Sequence, residues 1–150
     1  MKVAVSADQR TRLVEILLEE LRARGHEVDY RGAPEGVEAD WPVVTLEAAE
    51  QVARGQADEG IVMCWTGTGA TLVANKVPGI RAALCSDAET ARGARQWNHA
   101  NVLGLSLRAT SGPVLKEILE AWFSTPFGED EWNRKQIERV REIERRYSAR

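Results

Sequence analysis

Residues 58–87, DEGIVMCWTGTGATLVANKVPGIRAALCSD, decide the fold of this chain. Residues 60–64 are an unbroken apolar run between acidic residues and a glycine-rich turn, which predicts a short buried strand. The turn at residues 66–69 is followed by a helical pattern over residues 70–76, and residues 80–85 predict a second buried strand. The stretch is therefore expected to form a short βαβ unit with a right-handed crossover.

The glycine turn in this stretch can carry chemistry. It leaves backbone N–H groups unpaired at a helix N-terminus, where they can bind a phosphate or stabilise an oxyanion. Cys64 directly precedes the turn, and a thiol at such a position can act as a base or a nucleophile. The same pattern also fits a buried strand-end cysteine followed by glycines that only shape a turn, and the local residues favour neither interpretation.

Length, charge and cysteine content limit the class of protein. At 150 residues the chain is expected to be one domain, and its net charge of −3, without a basic stripe outside the C-terminal segment, argues against nucleic acid as a partner. No apolar run approaches the roughly 18 residues of a membrane span, and Met1 leads directly into a strand-like segment, so we expect no signal peptide. Two cysteines without metal-ligand spacing fit a cytoplasmic protein with no metal site.

The rest of the chain alternates between strand and helix patterns. Further strands are predicted at residues 2–6, 26–30 and 101–105, and helices at residues 13–21, 44–54, 87–96 and 111–123. Ser86 is expected to cap the helix that follows it, and Leu46 and Ala49 to face the core. Five strands alternating with helices predict an α/β fold, a three-layer α/β/α sandwich on a five-stranded parallel, Rossmann-like sheet.

The C-terminal segment differs in character from the preceding chain. Residues 1–128 are expected to form the α/β domain, and residues 129–150 a charged helix of the same domain. This helix carries one thin apolar line, made of Trp132, Ile137, Val140 and Ile143. So narrow a stripe favours packing against a partner subunit over a solvated flap.

The predicted topology indicates where a ligand would bind. In parallel sheets ligands bind beyond the carboxyl ends of the strands, where the winding reverses. If the first and third strands are neighbours, Asp8 and Gln9 face the loop at residues 64–69 across a crevice.

The segment at residues 64–69, followed by residues 74–83, strongly resembles the type B ribose-5-phosphate isomerases, a family that includes galactose-6-phosphate and allose-6-phosphate isomerases. The likeness covers nearly the whole chain and extends to residues 25–28, 40–42, 101–103 and 121–122. It implies an aldose–ketose isomerase that acts on a sugar or sugar phosphate without a cofactor or metal. It also implies a homodimer, possibly a tetramer, with active sites between subunits.

The resemblance gives several residues a role. Cys64 would be the base that removes the C2 proton of an aldose to give a cis-enediolate, and Thr66 would assist the proton transfers. Asp8 would contact substrate hydroxyls, and Arg108 would contribute to phosphate binding. The loop residues expected to bind the substrate and stabilise its developing oxyanion are Gly67, Thr68 and Gly69.

Other positions depart from the family pattern. Gln9 stands where the family has a histidine and cannot move a proton. Trp97 stands where the family has the histidine credited with opening the sugar ring, next to a matching Asn98. His99 is a candidate catalytic substitute if the helix end is unwound, and otherwise a loop or interface histidine. Trp65 replaces a glycine and either fills the pocket or forms a stacking wall for a sugar.

Phosphate capture is also altered. The family's two C-terminal arginines fall at Trp132 and Gln136, with Arg134 and Arg139 close by. Each lost charge-assisted contact removes on the order of 1.5 to 3 kcal/mol of anion binding. We therefore expect an atypical substrate, either a short sugar phosphate that needs no ring opening or a sugar with little or no phosphate recognition. The alternatives are an ordinary ribose-5-phosphate isomerase and a non-catalytic sugar- or anion-binding dimer that keeps the fold.

Overall fold

The computed structural model describes residues 1–148, so the predicted extension of the last helix to Arg150 lies outside the described residues. Strands and helices alternate up to the last two helices. Their bounds are β1 (Lys2–Ala7), α1 (Arg12–Ala23), β2 (Glu27–Tyr30), α2 (Trp41–Ala53), β3 (Glu59–Cys64), α3 (Thr68–Ala74), β4 (Ala82–Leu84), α4 (Ala88–Asn98), β5 (Val102–Ser106), α5 (Gly112–Ser124) and α6 (Glu131–Ser148).

The strands form one parallel sheet in the order β2-β1-β3-β5-β4. Strands β1, β3 and β5 are apolar runs that are buried almost throughout, because helices cover both faces of the sheet. The winding reverses between β1 and β3, which are hydrogen-bonded neighbours. The predicted three-layer α/β/α sandwich on a five-stranded parallel sheet is confirmed.

Two cores of different composition hold the layers together. Beneath α1, α4 and α5 lies a leucine-rich core, which includes Leu17, Leu103 and the fully buried Trp122. Beneath α2 and α3 lies an alanine-rich core, which includes Ala48 and Ala70. Small side chains let α2 and α3 approach the sheet closely on that face, whereas the larger leucines fill a wider gap on the other.

Strand β4 is shorter and less buried than predicted. Residues 80–85 were expected to form a buried strand, but only Ala82–Leu84 pairs, and Leu84 is 38% exposed. The reason is position, because β4 lies at the edge of the sheet and has one neighbour, β5.

Two predictions about helix faces and caps are wrong. Helix α2 begins at Trp41 rather than residue 44, and Leu46 points outward with 42% exposure, while Thr45 is buried in its place. Helix α4 is capped by Asp87 and not by Ser86, since the Asp87 side chain accepts the Thr90 N–H at 2.7 Å. The inward-facing position and the cap are each displaced by one residue and the start of α2 by three, which sequence spacing alone resolves poorly.

Helix α6 packs on its own domain over part of its length. Ile137 is 3% exposed, and the Glu144 carboxylate accepts the Gly79 N–H at 2.9 Å. Trp132, Val140 and Ile143 remain exposed. Packing of this exposed stripe against a partner subunit stays a prediction. Over residues 1–148, no helix has the length and apolar character needed to cross a membrane.

Candidate active site

The segments that follow β1, β3 and β5 lie side by side at the carboxyl edge of the sheet. Ala7 pairs with Met63, and Cys64 pairs with Ser106, so Asp8 follows β1 directly beside Cys64. Ala7 and Met63 belong to the leucine-rich core. Side chains alternate along strands, so Asp8 and Cys64 both point to the opposite face, toward α2 and α3. The winding of the sheet therefore reverses between these two segments, at the position where the crevice was expected.

The loop after β3 wraps around the Cys64 side chain. Gly67 adopts a left-handed conformation with φ of 76°, and its N–H donates to the Cys64 carbonyl at 3.2 Å. This turn starts α3 so that the Ala70 N–H donates to Cys64 Sγ at 3.4 Å. Cys64 is 6% exposed, and its sulfur lies at the base of the loop, directed to the start of α3.

The loop presents polar groups outward. The hydroxyls of Thr66 and Thr68 lie 2.8 Å apart, and both residues are exposed. Within the described residues the N–H groups of Thr68 and Gly69 have no protein acceptor. These two amides can therefore donate to an anionic oxygen in the crevice.

Trp41 is a wall of the crevice that the sequence interpretation did not include. A Cβ on Gly69 would lie 3.0 Å from the Trp41 ring, so the indole packs directly on the glycine loop. Trp41 is 41% exposed. The available signal was the run at residues 40–42, which contributed to the family resemblance but was given no role in the site.

Asp8 is buried beside the loop. Its side chain is 9% exposed, and within residues 1–148 its Oδ1 atom has no hydrogen-bond partner. Burial raises the pKa of the Asp8 carboxyl; backbone N–H donors oppose the shift, and the negative charge of Glu38 adds to it. The Asp8 carbonyl accepts the Ala39 N–H at 2.9 Å, which ties this loop to the entry of α2. Gln9, which follows, is partly exposed.

The end of β5 completes this edge of the site. The Trp65 carbonyl accepts the Ser106 hydroxyl and the Arg108 N–H, both at 2.9 Å, which fixes the loop to β5. Trp65 itself is 58% exposed. Arg108 is exposed and makes no ion pair within residues 1–148, so a cation is available near the loop.

Trp97, Asn98 and His99 lie at the opposite edge of the sheet. They end α4, whose 11 residues run back from the carboxyl edge to the amino edge. At 1.5 Å per residue the helix spans about 16 Å, so these side chains are separated from Cys64 by roughly the width of the sheet. Arg134, on α6, lines a groove with His99 at this amino edge. One chain thus assembles only part of the predicted site.

His99 is held by the segment that precedes α6. It is the C-cap of α4, in a left-handed conformation with φ of 49°, so it does lie beyond the regular helix. Its ring stacks on Phe127 with centroids 4.6 Å apart, and its Nε2 atom lies 2.7 Å from the Gly128 carbonyl oxygen. Because a carbonyl only accepts, Nε2 carries the hydrogen in this contact and donates it.

Comparison with known proteins gives consistent results. The family model described as Ribose/Galactose Isomerase matches residues 3–143. The chain is 33% identical over 144 residues to galactose-6-phosphate isomerase subunit LacB of Clostridium acetobutylicum, with 95% of this chain and 83% of that protein covered. It is 36% identical over 129 residues to D-erythrulose-4-phosphate isomerase of Pectobacterium atrosepticum, with 85% of each chain covered. The structure of ribose-5-phosphate isomerase B from Clostridium thermocellum superposes with a TM-score of 0.93 at 35% identity, over 98% of this chain and 99% of that one.

Proposed function

The chain belongs to the ribose/galactose isomerase family of sugar-phosphate isomerases, and we propose that it interconverts the aldose and ketose forms of a short, open-chain sugar phosphate, with Cys64 as the base. An open-chain substrate is proposed because the His99 ring stacks on Phe127 and donates to the Gly128 carbonyl. The groups proposed for proton transfer lie together at the carboxyl edge of the sheet, whereas both histidines of the chain, the candidates for ring opening, are engaged elsewhere.

Proton transfer uses the groups around the glycine loop. Cys64 Sγ takes the proton from C2, the electrons of that C–H bond form the C1–C2 double bond, and the carbonyl electron pair moves onto O1. The free amides of Thr68 and Gly69 donate to this oxyanion, with the Thr66 hydroxyl alongside. Sγ then delivers a proton to C1, while the O2 hydroxyl gives up its proton and O1 takes one up, with the Thr66 hydroxyl as the relay between the two oxygens, which gives the ketose. The proton exchanges with solvent while it is held on sulfur, so deuterium enters C1 in D₂O. The Ala70 N–H donates to Sγ and holds the sulfur at the base of the loop during these transfers.

Ring opening lacks an obvious catalyst in this chain. The sequence contains two histidines. His26 stacks on Phe123 at 4.4 Å, and His99 donates to the Gly128 carbonyl. Trp97, at the position of the family's ring-opening histidine, has an indole N–H that donates but cannot exchange a proton at neutral pH. An open-chain substrate removes the need for this step.

A four-carbon sugar 4-phosphate meets that requirement. Its C4 oxygen carries the phosphate, so no hydroxyl remains to close a five-membered ring on C1. The relative named D-erythrulose-4-phosphate isomerase, 36% identical to this chain, supports a substrate of this length.

The complete site requires a second copy of the chain. The groups at the amino edge, including Asn98 and Arg134, lie too far from Cys64 to contact the same small molecule within one chain. In a homodimer the amino edge of one subunit closes the crevice of the other. Arg108 and Arg134 then bind the phosphate from opposite sides.

The experiment compares D-erythrose 4-phosphate with ribose 5-phosphate as substrates and follows deuterium incorporation from D₂O. Cys64→Ala is expected to lower turnover on both by about 10² to 10⁴-fold, the usual contribution of a positioned base. His99→Asn is expected to lower kcat/KM for both substrates by the same factor. Unchanged turnover in Cys64→Ala would remove Cys64 from the mechanism. A loss in His99→Asn confined to ribose 5-phosphate would instead support ordinary ribose-5-phosphate isomerase activity.

Ordinary ribose-5-phosphate isomerase activity is the second candidate, favoured by the close superposition on an enzyme of that name. The third alternative is a non-catalytic dimer in which Trp65 and Trp97 could close the old pocket. It is not favoured by the relatives, which are named isomerases.

A further inference from the structure

A buried ion pair lies at the amino edge of the sheet, away from the crevice. The Glu59 carboxylate, at the start of β3, accepts the Trp122 indole N–H at 2.6 Å and pairs with the Arg95 guanidinium at 2.7 Å. All three residues are buried, with exposed fractions of 8% for Glu59, 9% for Arg95 and 0% for Trp122. Arg95 also donates to the Ala100 carbonyl at 2.6 Å. Burying such an ion pair costs desolvation energy, so the pair is weak evidence for a stabilising role. We therefore consider what else its geometry does.

The ion pair continues into a column of stacked groups. The Arg95 guanidinium lies 4.9 Å from the Trp122 ring on one side and 4.4 Å from the Phe127 ring on the other. Phe127 in turn stacks almost parallel on His99, with an angle of 6° between the rings. Each member is planar, so the position of the buried guanidinium fixes the tilt of Phe127 and, through it, that of His99.

The column holds the segment between α5 and α6 against the end of α4. The Gly128 N–H donates to the Gln96 carbonyl at 2.9 Å, and any side chain at position 128 would collide with the Asn133 amide. Asp130 then caps α6 by accepting the Asn133 N–H at 3.1 Å. Arg134 follows one residue later, so its position depends on where the 126–130 segment is held.

We infer that Arg95, fixed by Glu59 and Trp122, is a positioning residue that acts through Phe127 to set the groove of His99 and Arg134 for the active site of the partner subunit. The inference rests on the proposed function, in which this edge closes the partner's crevice. Arg95 and Phe127 touch neither Cys64 nor its loop, and within one chain they lie on the wrong edge to act on it.

The first test replaces Phe127, whose side chain is partly exposed, and leaves the buried ion pair intact. Phe127→Leu is expected to raise KM for the sugar phosphate about tenfold with kcat within twofold, because a misplaced charge-assisted contact weakens binding by that order. Phe127→Tyr keeps the aromatic face and should restore the wild-type KM. Phe123→Leu is the matched control, since it removes the other histidine-stacking phenylalanine and should leave KM unchanged.

The second test asks in which subunit the column acts. Phe127→Leu and Cys64→Ala chains with different affinity tags are co-expressed, and the mixed dimer is purified. If the column serves the partner, the one site with Cys64 contains an intact column, and the mixed dimer shows the wild-type KM at about half the wild-type kcat. If it serves its own chain, the KM stays raised and the inference is wrong.

The remaining outcomes separate the inference from the proposed function. A Phe127→Leu enzyme with wild-type KM, or one whose kcat and melting temperature fall together without rescue by tyrosine, overturns the positioning role. Full activity in the Cys64→Ala homodimer would show that Cys64 is not the base. The three phenylalanine variants would then still decide whether the column has a positioning role.

Discussion

At the scale of single residues, the two cysteines place their thiols in different surroundings. Cys64 belongs to the alanine-rich core at the floor of the crevice, while Cys85 lies in the leucine-rich core on the other face and is 1% exposed. Burial, with the charge of Asp87 adding to it, raises the pKa of the Cys85 thiol to about 12. The proposed base and the structural thiol can therefore be distinguished by alkylation.

We expect iodoacetamide at pH 8 to modify Cys64 alone and to abolish activity, with protection by the sugar phosphate. A Cys85→Ala variant should react at the wild-type rate, whereas Cys64→Ala should not react while folded.

The raised pKa of Cys85 also makes the free energy of unfolding depend on pH. The folded state keeps a proton on this thiol that the unfolded chain loses near pH 9. Stability should therefore fall from about pH 9 upward in the wild type and less in Cys85→Ala. Rapid alkylation of Cys85 below pH 9 would contradict this assignment.

At the scale of elements, the geometry of the turn before α3 depends on a glycine that no other residue can replace. Gly67 has a φ of 76°, and a Cβ there would lie 2.8 Å from the Leu105 backbone and 2.6 Å from Leu84. Gly55, after α2, has a similar φ of 70°, but a Cβ there would have no atom of residues 1–148 within 4 Å. The two positions share backbone strain and differ in space, which makes Gly55 a matched control.

Gly55→Ala is expected to cost about 1 kcal/mol of unfolding free energy, the usual penalty of a left-handed alanine, with activity retained. Gly67→Ala should cost more, because backbone must move to relieve the contact, and should lower kcat at least tenfold by displacing the amides around Cys64. Chemical denaturation and steady-state kinetics measure the two effects. Equal losses in both variants would show that close packing against β5 does not hold the loop in place.

Strands and helices were predicted best from the sequence where their apolar residues follow one clear pattern. Strands β1, β3 and β5 are central, so their apolar runs identify them, and the crevice beside Cys64 follows from parallel order. Strand β4 was predicted too long. It lies at the edge of the sheet and pairs with one neighbour only, which the apolar run in the sequence does not reveal. Contact between His99 and Phe127 could not be predicted, since the two rings are far apart in sequence and follow no period. The roles assigned to individual site residues stay predictions.

At the scale of the whole molecule, the two edges of the sheet carry the two halves of the proposed site. The carboxyl edge holds Cys64, the free amides and Arg108, while the amino edge holds Arg134 and an exposed apolar strip on α6 and α4. That strip includes Val140, Ile143 and Trp97, which line one groove and are 47%, 58% and 56% exposed. Apolar side chains grouped this way on a charged helix are typical of a surface covered by another subunit.

If the two halves of the proposed site meet across a subunit boundary, activity should require the dimer. The double variant Val140→Glu with Ile143→Glu places two carboxylates in the strip and is expected to give monomers by sedimentation. Its kcat/KM should fall at least a hundredfold, since burying unpaired charge costs several kcal/mol. Arg146→Glu, a charge change on the same exposed helix, should leave both properties unchanged. A monomer that keeps the wild-type kcat/KM would show that one chain completes the site, and the partner's Arg134 would then have no role in binding.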